Sequence, residues 1–384
     1  MMVITQIASL IVLIVCLGSF SYEVESYGWR LVRLFLLSGS ISHLLTPLVG
    51  AFARRFNVMD FPARRKVHDT PTPLLGGLAI FLGVACAVVA DPGTLVSTWP
   101  LMLAATVLVI TGVGDDVTGL PSKLRLSVQL LATLIIIYSG VNLELLPPNW
   151  PGYAGNVLLT VLWVVGITNA LNFFDGMDGL ATGVSIIMGA FLSIVAFQSG
   201  QNELGLLGIV LLGACLGFLP HNFKVRKPAA IFLGDAGSAF LGFMLAAFAV
   251  RVQWSSLNAA HIWPPMNPIV SFTAPLLIFG VLIYDMIHIT VARFATGKVK
   301  TFREWLDYVG KDHLHHRLES LLRSKRGSVL LIYLLSVCLG ITAVVLRKAG
   351  TAEAIVLVLQ GVFVVIIVTI LEHEGNRRNR RKDY

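Results

Sequence analysis

Four polar side chains at a spacing of three open the chemical reading: Asn169, Asn172, Asp175 and Asp178, in the stretch N-A-L-N-F-F-D-G-M-D-G. On a helix, each step of three turns a side chain by about 60°, so neighbours share a face while the full set drifts around the axis. Gly176 and Gly179 favour ending the helix at this point. The spacing therefore predicts two amides on a last helical turn and two carboxylates on a short loop. An apolar run from Val157 to Ile167 precedes them, which places the group where a membrane helix would reach water. Two carboxylates and two amides there suit a divalent cation and a phosphorylated ligand. A polar loop that merely ends a helix is the plainer alternative.

Other stretches carry similar chemistry. Asp115 and Asp116 stand side by side in G-D-D-V-T-G-L-P. Paired carboxylates can bind a metal, or one can act as a base while its neighbour tunes it; a solvated helix end would look the same. Asp235, in F-L-G-D-A-G-S, lies a few residues inside an apolar run. An unpaired acid there is costly, which makes it the leading candidate for a metal ligand. The segment Asp60 to Gly77 offers Arg64, Arg65, Lys66 and His68 between prolines and glycines, either as a phosphate clamp or as ordinary topology-setting charge. In D-H-L-H-H-R, His313, His315, His316 and Arg317 could hold zinc or a diphosphate. No cysteine and no H-E-x-x-H pattern supports a hydrolytic metal centre there. Asp285 is one more acid in an apolar run, with a nearby base as its expected partner.

The elements that must position these residues are membrane helices. The 384 residues are 56% hydrophobic and only 13% charged, with a mean hydropathy of +0.80. Runs of about 20 apolar residues, enough to cross a bilayer, recur along the chain. A net charge of +8 in such a protein reflects basic loops rather than nucleic-acid binding. The four cysteines sit in apolar runs without metal-ligand spacing and read as small core residues. Val3 to Phe20 lacks the basic leader and the cleavage site of a signal peptide and reads as a retained helix.

The candidate spans are 3–20, 31–51, 74–91, 98–114, 124–141, 156–172, 180–198, 203–219, 231–250, 268–293, 328–346 and 353–371. The fold class is thus an all-α polytopic membrane protein with 11–12 transmembrane helices. Threading them puts 24 of the 29 basic residues on even-numbered connections and the tail, which the positive-inside rule assigns to the cytoplasm. Every acidic or histidine cluster falls on that same side, so the active site is expected at the cytoplasmic face. A transporter, the main alternative, would place some ionisable groups at mid-membrane. The expected division is an extra N-terminal helix with a short external loop (1–30), a catalytic core (31–327), two C-terminal helices (328–371) and a basic cytoplasmic tail (372–384).

Taken together, R-K-V-H-D-T-P-T-P-L-L-G-G, G-D-D-V-T-G-L-P, N-A-L-N-F-F-D-G-M-D-G-L, F-L-G-D-A-G-S and H-L-H-H-R resemble the motifs of the polyprenyl-phosphate N-acetylhexosamine-1-phosphate transferases. They recur in that family's order from about residue 45 to 320. The H-x-H-H-R form resembles the GlcNAc-1-phosphate branch more than the phospho-MurNAc-pentapeptide translocases. Two features depart from the pattern. Gly119 replaces the last acid of the family's D-D-x-x-D, and the first span looks like an addition.

The resemblance implies a reaction in which UDP-HexNAc and polyprenyl phosphate give polyprenyl-diphospho-HexNAc and UMP. It implies Mg²⁺, with Mn²⁺ as a substitute, held by Asp235 and Asn172. Asp115 and Asp116 would be catalytic, positioning the lipid phosphate more than removing its proton, since a phosphomonoester is largely ionised near neutrality. Asn169, Asp175 and Asp178 would serve the nucleotide side, while His313, His315, His316 and Arg317 would grip the diphosphate with Lys66 nearby. The expected setting is a bacterial inner membrane with its lipids, at the start of a lipid-linked glycan such as O-antigen, lipopolysaccharide or a cell-wall polymer. A homodimer is left open. A non-catalytic lipid or sugar-nucleotide binder is the third reading, favoured if the metal residues are dispensable.

Overall fold

The computed structural model describes residues 2–18, 26–62, 70–224, 227–254, 268–301, 304, 310, 312–347 and 349–380. The chain divides into two compact units, Met1–Gln253 and Trp254–Tyr384.

In the first unit, α1 is Met2–Gly18, α2 Tyr27–Arg55, α3 Gly76–Val89, α4 Pro92–Thr118 and α5 Ser122–Tyr138. They are followed by α6 Trp150–Phe174, α7 Leu180–Gln198, α8 Asn202–Asn222 and α9 Gly234–Arg251. A two-residue antiparallel pair, β1 (Met59–Asp60) with β2 (Thr72–Pro73), precedes α3. The helix starts are legible in residue type. Asp91 and Asn149 accept the Thr94 and Gly152 backbone N–H groups, each with a proline in the first turn that follows.

The organising element is α9. Apart from Asp235, Ala239 and Arg251, all its residues are buried, as expected of a helix enclosed by others rather than one with an outward polar face. It packs against α3, α4, α6 and α7. Between membrane helices, apolar side chains gain little by leaving lipid, so close backbone contact carries the association. The first turn of α9 shows this. A Cβ built on Gly77 of α3 would lie 2.0 Å from the Gly237 Cα, and one on Gly112 of α4 would lie 2.4 Å from the Ala236 Cα.

The second unit contains α10 Pro268–Ile278, α11 Gly280–Ala295, α12 Leu314–Leu322, α13 Lys325–Leu346 and α14 Thr351–Arg380. The run at 268–293, expected as one span, is two helices bent by 83°. Pro275 interrupts the hydrogen-bond ladder before the bend, and Gly280 begins the next helix. The last helix continues past the apolar run at 353–371 into the basic stretch, as far as Arg380.

Among the described residues, each of the twelve apolar runs contains a helix, and the protein is an all-α polytopic membrane protein. By length and composition, seven described helices can cross a membrane, or eight with the bent pair. The expected count was 11–12. Helices such as α1 and α3 are shorter than a full bilayer crossing.

Candidate active site

Most of the singled-out acids and amides gather in the first unit, at the C-terminal ends of α4 and α6 and the start of α9. Asp115 is buried near the end of α4. Its Oδ1 accepts the Leu120 N–H at 2.6 Å, and its Oδ2 lies 3.1 Å from Arg125 on α5. The turn between them needs Gly119, which closes α4 with φ +68°, a conformation that the family's usual acid would adopt only with strain. Asp116 is used differently. Its two oxygens accept the backbone N–H groups of Asp235 (2.8 Å) and Ala236 (3.3 Å), so a carboxylate of α4 caps α9 where the helix dipole is positive.

Asp235 then receives the Asn172 side-chain amide at 2.6 Å, and the same nitrogen donates to Ser238 at 2.8 Å. Arg125 lies 3.8 Å from that same Asp235 oxygen, Oδ1. The helix of Asn169 and Asn172 ends at Phe174, and Asp175 and Asp178 follow in the turn before α7, as the spacing predicts. Burial pushes the Asp175 carboxyl well above the usual carboxylate range; Asp235 and Asp116 add to this, and the Gly234 N–H opposes it. Asp178 accepts the Ala229 N–H at 2.9 Å. Asn222 ties the same two loops together, accepting from Gly179 N–H and donating to the Ile231 carbonyl. Backbone bonds from Phe232 to Pro73 and from Gly76 and Gly77 to Phe232 and Leu233 fix the approach to α9.

Asn169 is engaged with the Gln129 side chain of α5 at 2.6 Å. Sequence reasoning missed Gln129, Ser238 and Asn222, and counted Arg125 only as topology-setting charge. The available signal was a polar face on α5, with Arg125, Gln129 and Thr133 spaced by four within an otherwise apolar run. Lys66, with Arg64, Arg65 and His68, lies outside the described residues.

The second unit carries the histidine motif. His313 precedes α12, and His315, His316 and Arg317 lie in its first turn. The His313 and His315 rings are stacked nearly parallel, with centroids 5.9 Å apart, and the His316 ring lies against His315 with centroids 4.2 Å apart. Burial, together with His316, His313 and Arg317, holds His315 well below the ordinary imidazole range, which keeps it neutral.

Among the described residues, no three histidine, cysteine or carboxylate side chains close around a single point. A closed zinc cage is therefore not formed there. Mg²⁺ is a different case, because it is held by one or two carboxylates and completed by water and substrate phosphate. Asp235 and the side-chain oxygen of Asn172 are donors of the kind it takes, and among the described residues Arg125 is the base beside Asp115 and Asp235.

Helices and site together define a polytopic membrane protein with an acid-rich, oxygen-donor centre at helix ends. The family described as glycosyl transferase family 4 matches residues 98–253. A probable undecaprenyl-phosphate N-acetylglucosaminyl 1-phosphate transferase of Bacillus subtilis is 33% identical over 331 residues, covering 83% of this chain and 86% of the relative. A decaprenyl-phosphate N-acetylglucosaminephosphotransferase of Mycobacterium leprae is 34% identical over 328 residues, covering 78% and 79%. A phospho-N-acetylmuramoyl-pentapeptide-transferase of Moorella thermoacetica is 32% identical over 246 residues, covering 57% and 74%. The chain belongs to this family of polyprenyl-phosphate N-acetylhexosamine-1-phosphate transferases. The transporter alternative finds no support among these relatives.

Proposed function

We propose that the protein transfers HexNAc-1-phosphate, GlcNAc-1-phosphate in particular, from a UDP-sugar to polyprenyl phosphate at the cytoplasmic face of a bacterial inner membrane. One observation carries this reading: Asp115, Asp116, Asp175 and Asp235 crowd together with Arg125 as the cation held between two of them. The relatives' names supply the substrate class.

In the reaction, an oxygen of the acceptor phosphate attacks the sugar-bearing phosphorus of the donor, and the bond to UMP breaks. Such transfers depend on positioning and charge neutralisation more than on covalent chemistry by the protein. Asp235 and Asn172 would hold Mg²⁺, or Mn²⁺ in its place, which when bound neutralises the diphosphate and the departing phosphate. Asp116 sets the first turn of α9 and so the position of Asp235. Asp115 orients Arg125, whose partly exposed guanidinium can meet the lipid phosphate. Asp175 and Asp178 shape the loop assigned to the nucleotide, and Asn169 acts through its bridge to Gln129. The histidine motif is assigned to the donor's phosphates.

The test is UMP release by purified protein supplied with polyprenyl phosphate and a panel of UDP-sugars. Release should need both substrates, be fastest with UDP-GlcNAc, stop with chelator, and return with Mg²⁺ or Mn²⁺. Absence of UMP with every sugar would overturn the reading.

A further inference from the structure

The second unit holds a buried acid for which the transfer reading has no task. Asp285, on α11, has 0% exposure, and three donors converge on it. They are His313 Nδ1 at 2.8 Å, the Leu314 backbone N–H at 2.6 Å and Arg317 Nη2 at 3.1 Å. About two turns further along α11, Arg293 grips Asp312 through two bonds of 2.9 and 2.7 Å. One helix therefore holds the motif at both ends, with its base on the motif's acid and its acid on the motif's bases.

Two chemical consequences follow. A carboxylate only accepts, so His313 must carry a proton on Nδ1. That sets the tautomer and the ring plane. Arg317 is meanwhile shared between Asp285 and His288, an arrangement that suits a strut between α11 and α12 better than a freely placed phosphate grip.

We propose that Asp285 is a positioning residue for the transfer reaction, acting through His313, whose tautomer and ring plane it fixes. Arg317 is thereby reassigned from gripping the diphosphate to holding the motif in place. The inference rests on the transfer reading, but its first test does not depend on turnover.

In ¹⁵N-histidine spectra of the full-length protein in nanodiscs, the His313 signal is identified by its loss in His313→Gln. It should show the proton on Nδ1 in the wild type and lose that fixed tautomer in Asp285→Asn. Kinetically, Asp285→Asn should lower kcat/KM for the UDP-sugar by roughly 10–100-fold, the scale for partners that orient a functional imidazole from behind. Asp285→Glu should restore part of the loss. In a His313→Gln background, Asp285→Asn should cost little more, because the two residues act as one. A wild-type His313 protonated on Nε2 alone, or fully additive losses in the double variant, would overturn the proposal. Should Asp285→Asn fail to fold, the wild-type tautomer decides. Failure of the transfer reading looks different: no UMP from the wild type, whatever the tautomer of His313.

Discussion

The two ends of α4 make opposite use of buried acid. At its start, Asp91 is matched by Arg30 through bonds of 2.9 and 2.5 Å and is approached by Arg33 at 3.5 Å; Arg30 also takes Glu203. Two acids there face two guanidiniums. Some 36 Å away, at about 1.5 Å per residue, Asp115 and Asp116 stand with Asp175 and Asp235, and Arg125 is the cation between Asp115 and Asp235. The first arrangement closes its own charge balance and ties α2, α4 and α8 together. Among the described residues, the second holds more acid than Arg125 alone can match. A buried acid alone therefore says little about function in this protein. What separates a fastener from a reactive centre is whether the neighbouring bases match its charge.

The largest expected effect breaks the second end. Asp235→Asn keeps the shape but removes the charge, and should lower UMP release at least a thousandfold, about 4 kcal/mol of transition-state stabilisation. Extra Mg²⁺ should rescue it poorly, because a neutral amide is a weak ligand for a hard cation. Near-normal turnover of this variant at low Mg²⁺ would erase the contrast between the two ends.

Breaking the first end should affect folding instead. Arg30→Ala strips the buried Asp91 of its main partner and should cost roughly 3 kcal/mol of stability, seen as an earlier thermal transition in detergent. Turnover per folded molecule should stay as it was. A selective loss of turnover would show that this cluster, too, serves the chemistry.

The smallest effect is in acid. Burial pulls the Asp91 carboxyl upward, but the Arg30 and Thr94 hydrogen bonds and the Arg30 charge outweigh it, so its pKa is held below the usual carboxylate range. A depressed acid contributes stability that is complete above its unfolded pKa, near 4, and is lost as pH falls through the folded value. This end should therefore hold from pH 8 to about 4 and weaken below, and Arg30→Ala should flatten that acid limb in thermal scans.

The helices were legible because apolar runs long enough for a membrane can hardly be anything else. The turn carrying Asp175 and Asp178 was legible because glycines punctuate it. Partnership was not. Nothing in G-D-D says that one carboxylate will hold Arg125 and the next will cap a helix more than a hundred residues later. Gln129 looks like an isolated polar residue until α5 is laid against α6. The 83° bend was hidden because Pro275 sits in a run whose hydropathy alone reads as continuous. In each case the missing information was which helix lies beside which, and that is decided by packing over long separations.

The glycine contacts at the first turn of α9 bear on how this protein can change over time. A single added methyl at Gly77 or Gly112 would drive backbone into backbone, and glycine to alanine is among the simplest steps available to a gene. The position of Asp235 is thus closed to gradual adjustment. A descendant that accepts a different sugar or a longer lipid would have to find its novelty in side chains at the rim of the site, over a floor that cannot be moved by small steps.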